Sequence, residues 1–431
     1  MKLNYKRTFF VGLAFLSISS FWQLYENIIP LILKNTFGFG EAVTGVLMAM
    51  DNVLALFLLP LFGVLSDKVR TPLGKRSPFI VVGTFFAVIF MIFIPIADNQ
   101  SNIVFFLVSL GVVLIAMGSY RSPAVALMPD LTPKPLRSQA NAVINLMGAA
   151  GAVLTLVMIK IFVKASDKPN YVPVYLSVAT IMILAVVLLL ITIKEKKLTS
   201  EIVQTEAEDA HVKEIIEKQN IEKQNKKMPK EVRKSFVFIM ASIVLWFTAY
   251  NAVTTAFSRY AEEVWGFEGG DFANPLLVAM IAAIFSYIPI GIISSKVGRK
   301  KTIIGGIIVM SGSYFCGFLF LDYSAWINIV FAFTGIGWAA ISVNSYPMVV
   351  EMCRETDIGK YTGLYYTFSM SAQVVTPILS GILLQFISYR TLFPYAVFFS
   401  LASLCTMLFV KHGDSRPVKR STLLENFDTE D

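Results

Sequence analysis

Three ionisable side chains stand inside otherwise apolar runs: Glu26 in LSISSFWQLYENIIPLIL, Asp51 in VTGVLMAMDNVLALFLLP and Arg121 in LIAMGSYRSPAVALM. A charge at mid-bilayer costs several kcal/mol unless it faces a polar cavity. A carboxylate in such a cavity can gain and lose a proton as the cavity faces each side in turn. A guanidinium stays charged and offers a planar fork of donors to an oxygen-rich ligand. Asp51 and Glu26 are therefore candidate cation-coupling residues, with Asp51 first, and Arg121 is a candidate substrate-binding residue. An ion pair that merely joins helices is the competing assignment. Asp51 lies about 22 Å and Arg121 about 12 Å from the basic-loop ends of their helices at a rise of 1.5 Å per residue. That gap is long for a direct salt bridge and suits a cavity with substrate or water between them.

Polar and aromatic residues recur at helical spacing beside these charges. Trp22, Tyr25, Glu26 and Ile29 fall on one face of the first span; Asn251, Thr254, Thr255 and Ser258 do so on the seventh, and Tyr366, Ser369, Gln373 and Thr376 on the eleventh. Flat aromatic faces suit the C–H faces of a polyhydroxylated ligand, and amides and carboxylates suit its hydroxyls. Trp22, Tyr25, Asn251 and Gln373 thus join Arg121 as candidate substrate-binding residues. For single Ser and Thr residues, interhelical hydrogen bonding that serves packing is preferred.

The elements that must position these groups are membrane spans. Of 431 residues 55% are hydrophobic and 15% charged, against about 25% charged in soluble domains. Twelve runs are long enough to cross a bilayer: near 8–33, 41–66, 77–97, 102–128, 138–163, 172–193, 235–259, 273–295, 301–321, 324–350, 359–386 and 390–410. The first is too long and too poorly flanked for a cleaved signal peptide. The fold class expected is an all-α membrane protein with an N-terminal six-helix bundle (1–193), a linker (194–234), a C-terminal six-helix bundle (235–410) and a tail (411–431). One alternating set of loops, with both termini, carries 30 of the 37 Lys and Arg residues, so both termini are expected in the cytoplasm and the chain in the plasma membrane.

Several functions are excluded by the same reading. The net charge of +8 is spread over loops between spans, so no nucleic-acid partner is expected. Cys316, Cys353 and Cys405 lack metal-ligand spacing and read as packing residues. His211 and His412 fall in polar segments, which leaves any proton relay to carboxylates. No paired carboxylates or histidines within a span suggest a metal-dependent membrane enzyme, and no cofactor or metal is called for. The linker, with its tandem IEKQN at 216–225, reads as a solvated tether.

A basic hairpin recurs in the two halves. GVLSDKV, residues 63–69, aligns with GIISSKV, residues 291–297; both then run Gly-basic-basic, as Gly74-Lys75-Arg76 and Gly298-Arg299-Lys300. The pattern resembles the signature loop of the major facilitator superfamily, whose two halves are related by a pseudo-two-fold axis along the membrane normal. The resemblance implies that Asp67 faces the N-terminal end of the eleventh helix and helps hold one gate state, with Lys75, Arg76 and Asp130 as further gating residues. Ser295 lacks that charge in the second copy. The stretch 117–145, MGSYRSPAVALMPDLTPKPLRSQANAVIN, with Gly74-Lys75-Arg76-Ser77-Pro78-Phe79, resembles the sucrose-transporter and glycoside-pentoside-hexuronide:cation symporter branch. By that resemblance Arg121 binds substrate, and Asp51 matches a cation-site carboxylate of the melibiose-type members. Ala55 stands where those members carry a second carboxylate, which favours a proton over sodium. Ser77 is expected to cap the third helix, and Pro78 suits its first turn.

The expected function is secondary active transport of a small polar solute, a sugar or glycoside, by cation symport with alternating access. The partners expected are substrate, coupling cation and lipid bilayer. A proton-driven exporter of amphiphilic compounds is the alternative, given the abundance of Phe and Met.

Overall fold

The computed structural model describes residues 3–132, 136–166, 168–199, 229–352 and 358–414. Among these, twelve helices are long and apolar enough to cross a membrane. The first six are α1 (Tyr5–Asn35), α2 (Glu41–Lys68), α3 (Ser77–Asn99), α4 (Ile103–Asp130), α5 (Arg137–Phe162) and α6 (Val172–Thr192). The second six are α7 (Lys230–Trp265), α8 (Ala273–Val297), α9 (Arg299–Leu319), α10 (Trp326–Glu351), α11 (Ile358–Phe386) and α12 (Leu392–Leu408). Local signals set several ends. The Asn4 and Asn102 side chains accept the Arg7 and Phe105 amides at 3.0 and 3.1 Å, satisfying donors that open the helix. Gly266 closes α7 at φ 62°, a left-handed conformation that glycine adopts without a Cβ clash.

The observed helices match the expected spans closely except α7, expected over 235–259 and found over 230–265. Its extra turn at the far end carries Glu262 and Glu263, too polar for a hydropathy window, and these carboxyls find partners on α1. Large apolar side chains such as Phe57, Phe285 and Phe398 point out of the bundle, as a lipid-facing surface requires. Cys316 and Cys405, expected in the packing, are exposed there as well, because they sit on the outer sides of α9 and α12. His211, Cys353, the tandem repeat at 216–225 and the tail beyond 414 lie outside the described residues.

The two halves repeat one packing scheme. In the first, α1 packs on α5 and α6, α4 on α2 and α3, and α3 on α6; in the second, α7 packs on α11 and α12, α10 on α8 and α9, and α9 on α12. Each contact recurs six helices later. The halves meet through α2 against α11 and α5 against α8, with α1 against α7 between them.

The repeated hairpins also share a conformation. Gly74 (φ 120°) and Gly298 (φ 101°) both occupy positive φ, the region where a side chain is strained. In each half a carboxylate from beyond the sixth helix occupies the space where a Cβ on that glycine would stand: Glu195 in the first, Asp414 in the second. Glu195 Oε1 accepts the Lys75 and Arg76 amides at 2.8 and 2.9 Å, and its Oε2 accepts the Ser77 amide and hydroxyl at 2.8 and 2.7 Å. Asp414 Oδ1 accepts the Lys300 amide at 2.8 Å. Lys300 aligns with Arg76, so the two caps correspond. This corrects two expectations. Ser77 does not cap α3 but is itself held by Glu195, because an ionised carboxylate serves three orphan amides at once. Residue 195, expected in a solvated tether, is buried against the first bundle.

Candidate functional site

A cavity of about 400 Å³ lies between the halves. Its first wall is a stripe of α1, where Ser19, Trp22, Gln23 and Glu26 follow one another at helical spacing, joined by Arg121 of α4 and Asn145 of α5. Its second wall comes from α7 to α10, with Tyr250, Asn251, Met280, Tyr287 and Trp338 among its residues. The arrangement brings together four of the expected site residues: Trp22, Glu26, Arg121 and Asn251.

Arg121 anchors the first wall. Its guanidinium carbon lies 5.8 Å from the Trp22 ring centroid, within cation–π range, and it interacts electrostatically with Asp51, Tyr366 and Glu26. Among the described residues no ion pair joins it to either carboxylate. Asp51 stands off the cavity wall, where Asn52 Nδ2 donates to its Oδ1 at 2.8 Å, yet it remains within electrostatic reach of Glu26. The pair and Arg121 thus form one charge cluster with only Glu26 and Arg121 facing the space inside.

Tyr25 and Gln373 are placed elsewhere. Tyr25 is buried behind Trp22, ring centroids 5.4 Å apart at 88°, so it braces that indole edge to face. Its hydroxyl has no hydrogen-bond partner among the described residues and interacts with Asp51 and Glu26. Gln373 is half-buried on α11, off the cavity wall. The other polar residues of its stripe bond within the helix, Ser369 to Tyr366 O at 3.1 Å and Thr376 to Ala372 O at 2.6 Å.

The four expected gating residues do meet, at the face that bears the linker. Arg76 Nη2 lies 2.5 Å from Asp67 Oδ1 and its Nε 2.9 Å from Asp130 Oδ2, while Lys75 Nζ lies 3.0 Å from Asp130 and 3.9 Å from Asp67. Asp67 is therefore engaged by the basic residues of its own hairpin; the residues just before α11 lie outside the described ones. The second hairpin builds a matching contact, with Arg299 paired to Glu351 at the end of α10 as its counterpart Lys75 is to Asp130 at the end of α4.

Polar contacts between the halves gather, among the described residues, at the opposite face. Arg259 Nε lies 2.6 Å from Glu41 Oε2, both side chains 4% exposed, and Tyr389 Oη donates to Glu41 Oε1 at 2.6 Å. Around this core, Lys34 pairs with Glu263 at 2.7 Å, Asn35 donates to Glu262 at 2.9 Å, Lys160 pairs with Asp271, and the Ala42 amide donates to Gln385 at 2.8 Å. Gly45 and Gly381 let α2 and α11 cross so closely that a Cβ on either would strike the other helix's backbone. The cavity is thus shut on the face away from the linker. Sequence reasoning missed Glu41 and Arg259 because a charge at a span boundary is ordinary; only pairing them across 218 positions reveals the contact.

Comparison with known proteins supplies the family. The Major Facilitator Superfamily matches residues 11–288 and 276–426. An uncharacterised MFS-type transporter of Methanocaldococcus jannaschii is 24% identical over 394 residues, covering 90% of each chain. Sucrose transport protein SUC3 of Arabidopsis thaliana is 27% identical over 152 residues, 31% of this chain and 25% of that one. Among solved structures, a POT family transporter in complex with a thioalcohol-conjugated peptide superposes with TM-score 0.69 at 12% identity, covering 94% and 95% of the two chains. The inward-open xylose transporter XylE of E. coli superposes with TM-score 0.66 at 15% identity, covering 98% of both. With the family matched along nearly its whole length and twelve helices packed as two repeated sets of six, this chain is a multi-pass membrane transporter of the Major Facilitator Superfamily.

Proposed function

We propose that the chain carries a small polyhydroxylated solute, a sugar or glycoside, in symport with a cation by alternating access. The observation that carries this reading is the pairing of Arg121 and Glu26 on one cavity wall beside the Trp22 ring, with no ion pair between them among the described residues. A buried guanidinium and a carboxylate held apart in this way present a donor fork and an acceptor to hydroxyls, while the indole takes a C–H face. The partial match to a sucrose transporter agrees with that substrate class. Arg121, Trp22 and Asn251 bind the solute, Tyr25 fixes the indole, and Gln373 contributes from α11 once the cavity changes shape.

Coupling falls to Asp51 and Glu26. Ala55, one turn beyond Asp51, offers no second ligand for sodium, which favours a proton. Asp67, Lys75, Arg76 and Asp130 form the gate on the linker face, and Glu41 with Arg259 holds the opposite one. The distribution of Lys and Arg supports cytoplasmic termini in a plasma membrane, which makes the shut face the outer one. Uptake of glucosides, galactosides and glucuronides into proteoliposomes, with and without an imposed proton gradient, tests the reading. Gradient-driven accumulation of one of them is expected; efflux of sugar-free dyes with no sugar uptake would establish the amphiphile exporter instead.

A further inference from the structure

The two cavity walls differ in chemistry. All the charge is on the first, where Glu26, Arg121 and Trp22 Nε1 stand without hydrogen bonds among the described residues. On the second wall, Asn251 Nδ2 is also unpartnered. Two of the second wall's hydroxyls serve its own backbone: Thr254 Oγ1 donates to Asn251 O at 3.3 Å and Thr334 Oγ1 to Val330 O at 3.1 Å. What it presents instead is a plate. Tyr250 and Trp338 are stacked with centroids 3.7 Å apart and planes within 8°, and Phe247 braces Trp338 edge-on at 5.4 Å. Leu276, Met280 and Phe331 complete an apolar surface around it.

Resting on the reading above, we propose that the substrate is two-ended: a hydroxylated ring joined to a flat apolar group, that is, an aryl glycoside. The sugar ring lies between Arg121, Glu26 and Trp22, and the aryl group lies along the Tyr250 and Trp338 plate. A second sugar ring in that place would lay most of its hydroxyls against Leu276, Met280, Phe331 and the aromatic ring faces, a mismatch a site punishes strongly. An aryl group has none to lose, and aromatic pairing adds to its burial. Tyr314 Oη, buried and unpartnered on this side, is placed to bond one polar substituent of the aryl group. A cavity of about 400 Å³ is in the range that encloses ligands of this size.

The test uses the full chain in liposomes with methyl and 4-nitrophenyl glycosides of glucose, galactose and glucuronic acid, the disaccharides sucrose and maltose, and 4-nitrophenol. For at least one sugar the nitrophenyl glycoside is expected to have a KM about tenfold or more below its methyl partner and below both disaccharides. Trp338→Ala is expected to collapse that preference, read as the ratio of the two KM values, to within about twofold. Should that variant fail to assemble, Tyr250→Leu, at a half-buried ring, reads the same ratio. Equal KM values, a preference for a disaccharide, or a ratio unmoved in a folded plate variant overturns the two-ended substrate while sugar carriage stands. Transport of 4-nitrophenol alone, or of nothing in the panel, overturns both.

Discussion

Glu41 and Arg259 stand 218 positions apart in the chain and 2.6 Å apart in space, each almost wholly buried. One opens α2 and the other lies near the end of α7, so their bond joins the two halves at the face away from the linker. Arg259 also donates to Thr255 O at 3.1 Å, and Glu41 takes the Tyr389 hydroxyl, so the pair is fully engaged. Removing one partner of such a pair leaves an uncompensated buried charge, at a cost of about 3–5 kcal/mol. Glu41→Gln should therefore depopulate the closed face. Thiol labelling of a cysteine placed at Ala42 should speed up at least tenfold, and the exchange Glu41→Arg with Arg259→Glu should restore part of the protection. An unchanged labelling rate in Glu41→Gln would remove this pair from the gate.

Asp51→Asn and Arg121→Lys should fail differently. Asn fills the Asp51 site and keeps its neighbour Asn52, but it carries no proton. Accumulation driven by a pH gradient should vanish while downhill exchange of substrate persists. Arg121→Lys keeps the charge and loses the planar fork, so substrate binding itself should weaken by about 1.5–3 kcal/mol, the worth of hydrogen bonds to a charged group. Equilibrium binding and gradient-driven uptake, measured on both proteins, separate the two. If Asp51→Asn still concentrates substrate, Glu26 is the next carboxylate to replace.

At the linker face, Arg76 is nearly buried and shared by two carboxylates, whereas the Asp67 side chain is 56% exposed. Solvent screens an exposed pair to about 1 kcal/mol or less. Asp67→Asn should slow alternation by a few-fold at most, with binding intact. Asp130→Asn, which takes a carboxylate from both Arg76 and Lys75, should slow it more. Net uptake rates ranked the other way round would show that Asp67 works through something other than Arg76.

Glu195 makes the cap of α3 a stability element. Glu195→Ala strips acceptors from three backbone amides and the Ser77 hydroxyl, and a lost helix cap costs about 0.5–2 kcal/mol before any charge is counted. The thermal midpoint in detergent should fall, and Glu195→Gln should recover part of it. Asp414→Ala, which takes a single amide acceptor away, should cost less. A midpoint insensitive to Glu195→Ala would mean the hairpin holds itself.

What the sequence made legible follows from what a bilayer demands. Every span needs about twenty apolar residues, so the helices announced themselves, and Glu26, Arg121 and Trp22 stood out against that background. Asn251 was found by its helical spacing. Tyr25 was misread as a wall residue because it sits about 60° round the helix from Trp22, while Glu26 sits about 40° the other way; a stripe drawn through all three is wider than the cavity. Tyr250 and Trp338 were hidden by abundance. In a chain with 35 Phe, 16 Tyr and 5 Trp, a ring that lines a cavity reads like one that faces lipid. Gln373 depended on how far α11 is rotated, which its packing on α2 and α7 decides and no local pattern encodes. Glu195 and Asp414 were invisible for another reason: each follows the apolar pattern it serves, among residues that look like tether.

Those two carboxylates also tie the residues just after α6 and α12 to their own bundles. If the halves descend from one duplicated segment, that segment extended past its sixth helix far enough to bring an acidic residue back to its own second loop. A copy cut at the last apolar residue would have left the hairpin amides of both daughters bare. The polar residues just after α6 and α12 would then belong to the repeated module, each supplying the acceptor its own hairpin needs.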